Sequence, residues 1–312
     1  MTGFDEYSHN EALIIEPSDD KINADTGEAA ARDPESGTTV VNGDVDNVTG
    51  DIMFPGAVYV KGNIRDGHTV NAGAGIFVGG VVDAANLQTN GDIVLECGVR
   101  GANKAVIDAG GNIRANFLEN CTVNAGHNVT ANSILHSRVM CGGELTLRGR
   151  HGALIGGKAV VKQAITAISI GSVVSTPTEL YVGYEPETML LYNRLLEEYA
   201  ETAGRYEEMN RSVHTLQTRG DLREDKKKHL LDLLRSRLML RERLNNLRKW
   251  FDDILPGMET HNGVIRVSHM IYYGVKATIG NAVIYIRDDL ANCLLTNIDG
   301  KINIGINEKG GE

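Results

Sequence analysis

Between residues 55 and 161, apolar and polar positions alternate in short runs, each opened by a glycine pair or a turn. The runs are Pro55–Val60 (PGAVYV), Ala74–Val78 (AGIFV), Asn90–Leu95 (NGDIVL), Gly110–Ala115 (GGNIRA), Gly126–Ala131 (GHNVTA), Gly142–Leu147 (GGELTL) and Gly156–Val161 (GGKAVV). With Val58, Ile76, Ile93, Ile113, Val129, Leu145 and Ala159 as equivalent positions, the intervals are 18, 17, 20, 16, 16 and 14 residues. Alternation with period two turns one face of a strand inward. A second apolar position follows beyond a bend (Val82, Val99, Leu118, Ile134), and then a third (Leu87, Val106, Val123, Val139). Three inward-facing stretches per repeat make one coil of a parallel β-helix, each coil stacked on the last at about 4.8 Å. A sandwich would need strands of about five or six residues reversed by hairpin turns, longer than these glycine-punctuated runs. Right-handed winding is expected, as for crossovers between parallel strands generally.

From Glu185 the period changes. Met189, Tyr192, Leu196, Tyr199, Ala203, Tyr206, Asn210 and Val213 recur at alternating steps of three and four, a heptad seam entered through Pro186. Thr218–Gly220 breaks it, and Asp221 with Glu224 forms a capping box. A second seam then runs through Leu233, Arg237, Leu240, Leu244, Leu247, Phe251 and Ile254 until Pro256–Gly257 stops it. With so short a connection the two helices pair antiparallel, as an αα-hairpin in which each arm of some 32 residues extends about 48 Å. Past Gly257 the first texture returns in Val264, Ile265, Val267, Ile271, Val275, Ile279, Val283, Ile302 and Ile304. The expected fold is therefore mostly β with an α insertion: a right-handed parallel β-helix interrupted by a long antiparallel coiled-coil hairpin. The expected divisions are an acidic, largely irregular segment (1–40), the β-helix (41–183), the hairpin (184–256) and a return to the β-helix for its final coils (257–312).

Composition follows those divisions. Of 36 glycines, 24 lie between Gly37 and Gly183 and only Gly204 and Gly220 between Tyr184 and Pro256. The corner glycines turn the chain within one or two residues, often with positive φ, where stacked coils leave little room for a Cβ. Gly73-Ala74-Gly75 with Gly79 also matches part of a phosphate-cradling loop, but such a loop must enter a helix, and here another glycine-marked coil follows. The net charge of -10 is concentrated in residues 1–40, where ten acids face Lys21 and Arg32. The rest is nearly neutral and carries no basic stripe, which argues against nucleic acid as a partner. Cys97, Cys121, Cys141 and Cys293 form no C-x-x-C pair and are expected as buried small residues. No stretch approaches about 18 apolar residues and no signal peptide opens the chain, so a cytoplasmic protein without membrane insertion is expected.

Several segments resemble the bacterial flagellar assembly protein A family, whose members are similar to bactofilins in having a β-helical body. They are Gly43–Ile52, Phe54-Pro55-Gly56, Val60–Gly67 with Gly62 and Gly67, Gly79-Gly80-Val81-Val82, Gly110-Gly111-Asn112-Ile113 and, beyond the helices, Tyr273–Gly280 with Gly274 and Gly280. The pairs Gly142-Gly143 and Gly156-Gly157 complete the set of expected structural glycines. The resemblance runs from about Asn42 to Gly305 in the order β-helix, coiled coil, β-helix. Members usually carry a globular domain before the β-helix; here only the acidic segment precedes it, as in a truncated or short member, and it is too polar to form a core. Tyr272-Tyr273-Gly274 replaces the family's Tyr-Pro-Gly. The resemblance implies a non-enzymatic structural scaffold with protein partners in flagellar assembly or placement, no cofactor, no metal and no catalytic residue.

Three further chemistries are open to these residues. Tyr192, Tyr199, Tyr206, Leu240, Leu244 and Leu247 are candidates for protein–protein interaction, with coiled-coil core as the plainer role, and self-association through the coiled coil or the solenoid ends is an expectation. His68, His127, His136 and His151 lack metal-ligand spacing, although stacking could bring His127 near His151 or Glu144. The alternative function is a β-helical carbohydrate-active enzyme using paired carboxylates, Asp51 with Asp92 or Asp108 with Glu144. Against it, the first coils hold only Phe54, Tyr59, Phe77 and Phe117 for stacking on a sugar.

Overall fold

The computed structural model describes residues 37–150, 152–218, 224–257 and 263–307. Its first strands are β1 (Thr38–Val41), β2 (Ile52–Phe54), β3 (Ala57–Val60), β4 (Thr69–Ala72), β5 (Gly75–Val78), β6 (Val81–Asp83), β7 (Asn86–Thr89), β8 (Asp92–Arg100) and β9 (Val106–Ala109). They continue as β10 (Ile113–Glu119), β11 (Thr122–Ala125), β12 (Val129–Ala131), β13 (Ser133–Cys141), β14 (Glu144–Leu147), β15 (Ala153–Val161), β16 (Ala164–Ile170) and β17 (Thr178–Val182). Two helices follow, α1 (Pro186–Gln217) and α2 (Glu224–Gly257), then β18 (Val264–Ile271), β19 (Val275–Ile279), β20 (Ala282–Tyr285), β21 (Leu290–Ile298) and β22 (Lys301–Ile306). The strands form one compact unit and the helical stretch Glu185–Glu259 another. The chain is thus mostly β, a parallel solenoid of about eight turns plus two helices.

Three ladders of inward side chains build the solenoid core. The first stacks Thr39, Val58, Ile76, Ile93, Ile113, Val129, Leu145, Ile165 and Ile265 in parallel register. The second stacks Val45, Ile64, Val82, Val99, Leu118, Ile134, Leu154, Ile170 and Ile271. The third stacks Ile52, Val70, Leu87, Ile107, Val123, Val139, Ala159, Leu180 and Ala277. All of these residues are buried, because alternation turns them inward and the coils above and below close over them.

Two expected equivalences are corrected. Ala159 belongs to the third ladder, opposite Val139, and the true partner of Leu145 is Ile165, so that interval is 20 residues rather than 14. The glycine pair Gly156-Gly157 sits at a different corner, between the second and third ladders, with φ of +70° and +82°. In the third ladder Ile107, not Val106, points inward; Val106 is 39 % exposed. A one-residue slip exchanges the two faces of a strand, so neighbouring apolar residues compete for the inward position.

Most of the motif glycines serve close approach rather than positive φ. At Gly126 a Cβ would overlap the carbonyl of Gly110, and at Gly142 the carbonyl of Gly126, with ordinary negative φ at each. Left-handed corners are also taken by other residues, among them Ala84, Asn103, Asn120 and His136. No helix follows Gly79, which leads into β6, so the phosphate-loop geometry is absent there.

β1 begins at Thr38, inside the stretch expected to be irregular, while residues 1–36 lie outside the described residues. At the other end β18 and β19 pair parallel to β16 and β17, adding one coil. The chain then reverses: β20 pairs antiparallel to β19, β21 to β18 and β22 to β21. Several further coils were expected; antiparallel strands stand there instead, and they occupy the hydrogen-bonding edge that a bare last coil would leave open.

Candidate interaction surfaces

The helical unit is held by a mixed aromatic and aliphatic seam. Tyr192 and Tyr199 of α1 both meet Phe251 of α2 edge-on, with ring centroids 5.5 and 6.0 Å apart. Arg248 Nη2 donates to Tyr199 Oη at 3.1 Å, and Arg243 Nε donates to Glu198 Oε1 at 2.8 Å. Leu247 is fully buried, Leu240, Leu244 and Tyr206 are half-buried, and Met189, Leu195, Thr202 and Val213 are buried as well. On α1 the inward residue is Leu195 rather than the expected Leu196, which is 41 % exposed. Of the six interaction candidates, Tyr192, Tyr199 and Leu247 are thus engaged within the unit itself. α2 ends at Gly257, one residue past the expected boundary, and the expected break at Arg219–Gly220 and cap at Asp221 lie outside the described residues.

A second set of apolar residues faces outward and was not singled out from sequence. Leu231, Leu238 and Met239 of α2 are exposed. A groove of about 460 Å³ runs between the helices, lined by Arg205, Glu208, Met209 and Ser212 of α1 and Leu233, Ser236, Met239 and Leu240 of α2. The heptad rule assigned only one stripe per helix, and these residues fall off it.

On the solenoid the outward positions carry polar ladders. Asn112 donates to Asp92 Oδ1 through its backbone N–H (2.6 Å) and side-chain Nδ2 (3.2 Å). Asn128 repeats this against Asn112 Oδ1, and the N–H of Glu144 donates to Asn128 Oδ1. Asp92, Asn112 and Asn128, each one residue before the inward position of its repeat, were the available signal. Farther along, Lys158 Nζ lies 4.5 Å from the Tyr181 ring centroid, and Tyr181 Oη donates to Glu179 Oε2 at 2.9 Å. Burial lowers the Lys158 ammonium pKa and raises that of the Tyr181 phenol, the latter aided by Glu179. A smaller groove of about 320 Å³ shares Lys158 with this cluster and is lined also by Asn103, Asn120, His136 and Arg138.

The candidate carboxylate pairs are not assembled. Asp51 lies just before β2, on the third face, where it accepts from the Thr69 N–H and stands 3.4 Å from His68 Nδ1. Asp92 opens β8 on the first face. Likewise Asp108 lies in β9 on the third face and Glu144 in β14 on the first. His151 lies outside the described residues, and no ion pair joins His127 to Glu144 among them. Among the described residues no three His, Cys, Asp or Glu side chains could hold a metal ion. Burial pushes the thiols of Cys121 and Cys141 up to about 11, which keeps them protonated and unreactive at neutral pH. Cys97, expected buried, is half-exposed and donates its thiol to the Gly79 carbonyl at 3.4 Å.

The family model of the Flagellar Assembly Protein A (FapA) β-solenoid domain matches residues 38–302. The chain belongs to this family. The matched span opens at β1 and closes within β22, so it takes in every coil, both helices and the antiparallel end strands. No curated protein and no solved structure matches the chain. Membership in the FapA family makes this a structural protein related to flagellar assembly. Among the described residues no helix is long and apolar enough to cross a membrane.

Proposed function

We propose that this FapA-family chain is a non-enzymatic cytoplasmic scaffold whose right-handed solenoid is a rigid rod and whose helices bind protein partners of the flagellar assembly machinery. Residues 41–183 and the strands after 257 form the rod. Residues 184–256 form an antiparallel coiled-coil hairpin, with Tyr192, Tyr199, Tyr206, Leu240, Leu244 and Leu247 along its seam. In support of the antiparallel pairing, residues near the start of α1 meet residues near the end of α2, Tyr192 with Phe251 and Glu198 with Arg243. The motif glycines, Phe54-Pro55-Gly56 to Gly280, keep successive coils in van der Waals contact. Four unpaired cysteines suit a reducing compartment.

The observation that carries the proposal is the continuity of three buried ladders across a span matched from end to end by one assembly family. A stack in which each coil rests on its neighbours is stiff and presents repeated outward positions, which is what a scaffold requires. Replacing residues 185–257 by a short glycine-serine linker should leave the β circular-dichroism signal intact and abolish spreading of the source bacterium in soft agar. Full motility with the helices gone would refute the scaffold role of the hairpin, and export of the native chain from the cytoplasmic fraction would refute its placement.

A further inference from the structure

We propose that a second copy of this chain covers the outer face of the helical unit, so that two helix pairs close into a four-helix bundle with α1 of each copy against α2 of the other. The proposal deepens the scaffold reading above and rests on its antiparallel pairing of α1 with α2.

Two paired helices cannot bury all of their apolar residues. Each offers one stripe to its neighbour, and the apolar residues off that stripe stay in water. Leu231, Leu238 and Met239 are 56 %, 57 % and 72 % exposed. Leu231 and Leu238 stand one heptad apart, so they form a line along one side of the helix rather than scattered single residues. Those two leucines lie on the side of α2 away from Leu233 and Leu240, and it is Met239 that lines the groove of about 460 Å³ with Met209, Leu233 and Leu240, the shape that accepts a ridge of side chains from another helix.

Charge selects the occupant. α1 holds six acids (Glu187, Glu197, Glu198, Glu201, Glu207, Glu208) and three bases (Arg194, Arg205, Arg211), a net of -3. α2 holds six acids against nine bases, a net of +3. A twofold axis that sets α1 against α2 of the other copy brings opposite signs together along both new contacts, whereas a partner of uniform charge would suit one helix and repel the other. The groove repeats this on a smaller scale. Arg205 and Glu208 lie at its edge and make no ion pair among the described residues, so each can meet its opposite number across the axis. Such self-complementarity is the mark of an isologous interface.

Sedimentation equilibrium of the full chain at low salt tests the proposal. The expected mass is twice 33.8 kDa. The variant Met239→Glu alters an outward position that lines the groove and should weaken association at least about tenfold, roughly 1.4 kcal/mol, while leaving the helical signal unchanged. Should that variant fail to fold, Arg205→Glu gives the same loss by setting like charges at the groove, and Arg205→Glu with Glu208→Arg restores the dimer. A monomeric wild type at concentrations on the order of 100 µM overturns the proposal. So does a dimer indifferent to these changes, or one abolished by Thr39→Pro at the first coil, which would locate association at the solenoid end. A monomer that still needs its helices for motility sinks the dimer and leaves the scaffold standing; a dimer whose motility ignores the helices does the reverse.

Discussion

Alanine replacement at Ile107 and at its neighbour Val106 distinguishes the two faces of one short strand and so measures the register of the third ladder. Ile107 is fully buried between Leu87 and Val123. Ile107→Ala removes three carbons, a transfer term of about 2.4 kcal/mol at about 0.8 kcal/mol per methylene. The coils on either side are fixed by ladder hydrogen bonds and cannot close over the void, so a cavity term of about 1 kcal/mol or more is added, for a loss of about 3–4 kcal/mol. Val106→Ala removes two carbons from a side chain already 39 % in water and should cost under about 1 kcal/mol. Urea denaturation followed by the far-ultraviolet β signal reads both as shifts of the midpoint. If the Val106 variant loses as much as the Ile107 variant, or more, the ladder runs through residue 106 and the register argued above is wrong.

Two further outcomes follow from local geometry. Gly126→Ala places a Cβ on the Gly110 carbonyl and should destabilise the solenoid by about 1–3 kcal/mol, whereas Gly204→Ala, inside α1 with open space around it, should stabilise the helical unit by about 0.5–1 kcal/mol; differential scanning calorimetry resolves the two, and equal signs would contradict the close-approach argument. Asp44 ties the first coil to the second, accepting the Asn63 N–H at 2.7 Å and Arg65 Nε at 3.0 Å, and these bonds hold its pKa below the ordinary 3.8. A depressed carboxylate contributes stability that is complete above its unfolded pKa and is lost as pH falls through its folded pKa, so Asp44→Asn should remove about 1–2 kcal/mol at neutral pH and flatten the acid limb below about pH 4, read by thermal melts across that range.

What was legible beforehand was whatever follows from period. Ile113, Val129 and Leu145 fall on one ladder because a polar residue on each side tells inward from outward, and Val58, Ile76 and Ile93 join them through their spacing from the repeating glycines. The errors fall where that contrast vanishes. Val106 and Ile107 are both β-branched and apolar, and so compete for the same place; Leu195 and Leu196 are identical. Gly156-Gly157 resembles the pairs at Gly110-Gly111 and Gly142-Gly143, yet it marks another corner, while the first-ladder strand at Ile165 is introduced by Lys162-Gln163 with no glycine at all.

The amino-acid sequence by itself determined the repeat, the inward faces, the change to a helical period at Glu185 and the family, because each rests on local spacing and residue type. Tertiary structure decided direction and partner. The pattern of Leu290–Ile306 is compatible with parallel or antiparallel neighbours, since alternation names the face of a strand and not the way it runs; only the open edge of the last coil, with its unpaired N–H and C=O groups, turned those strands back upon it.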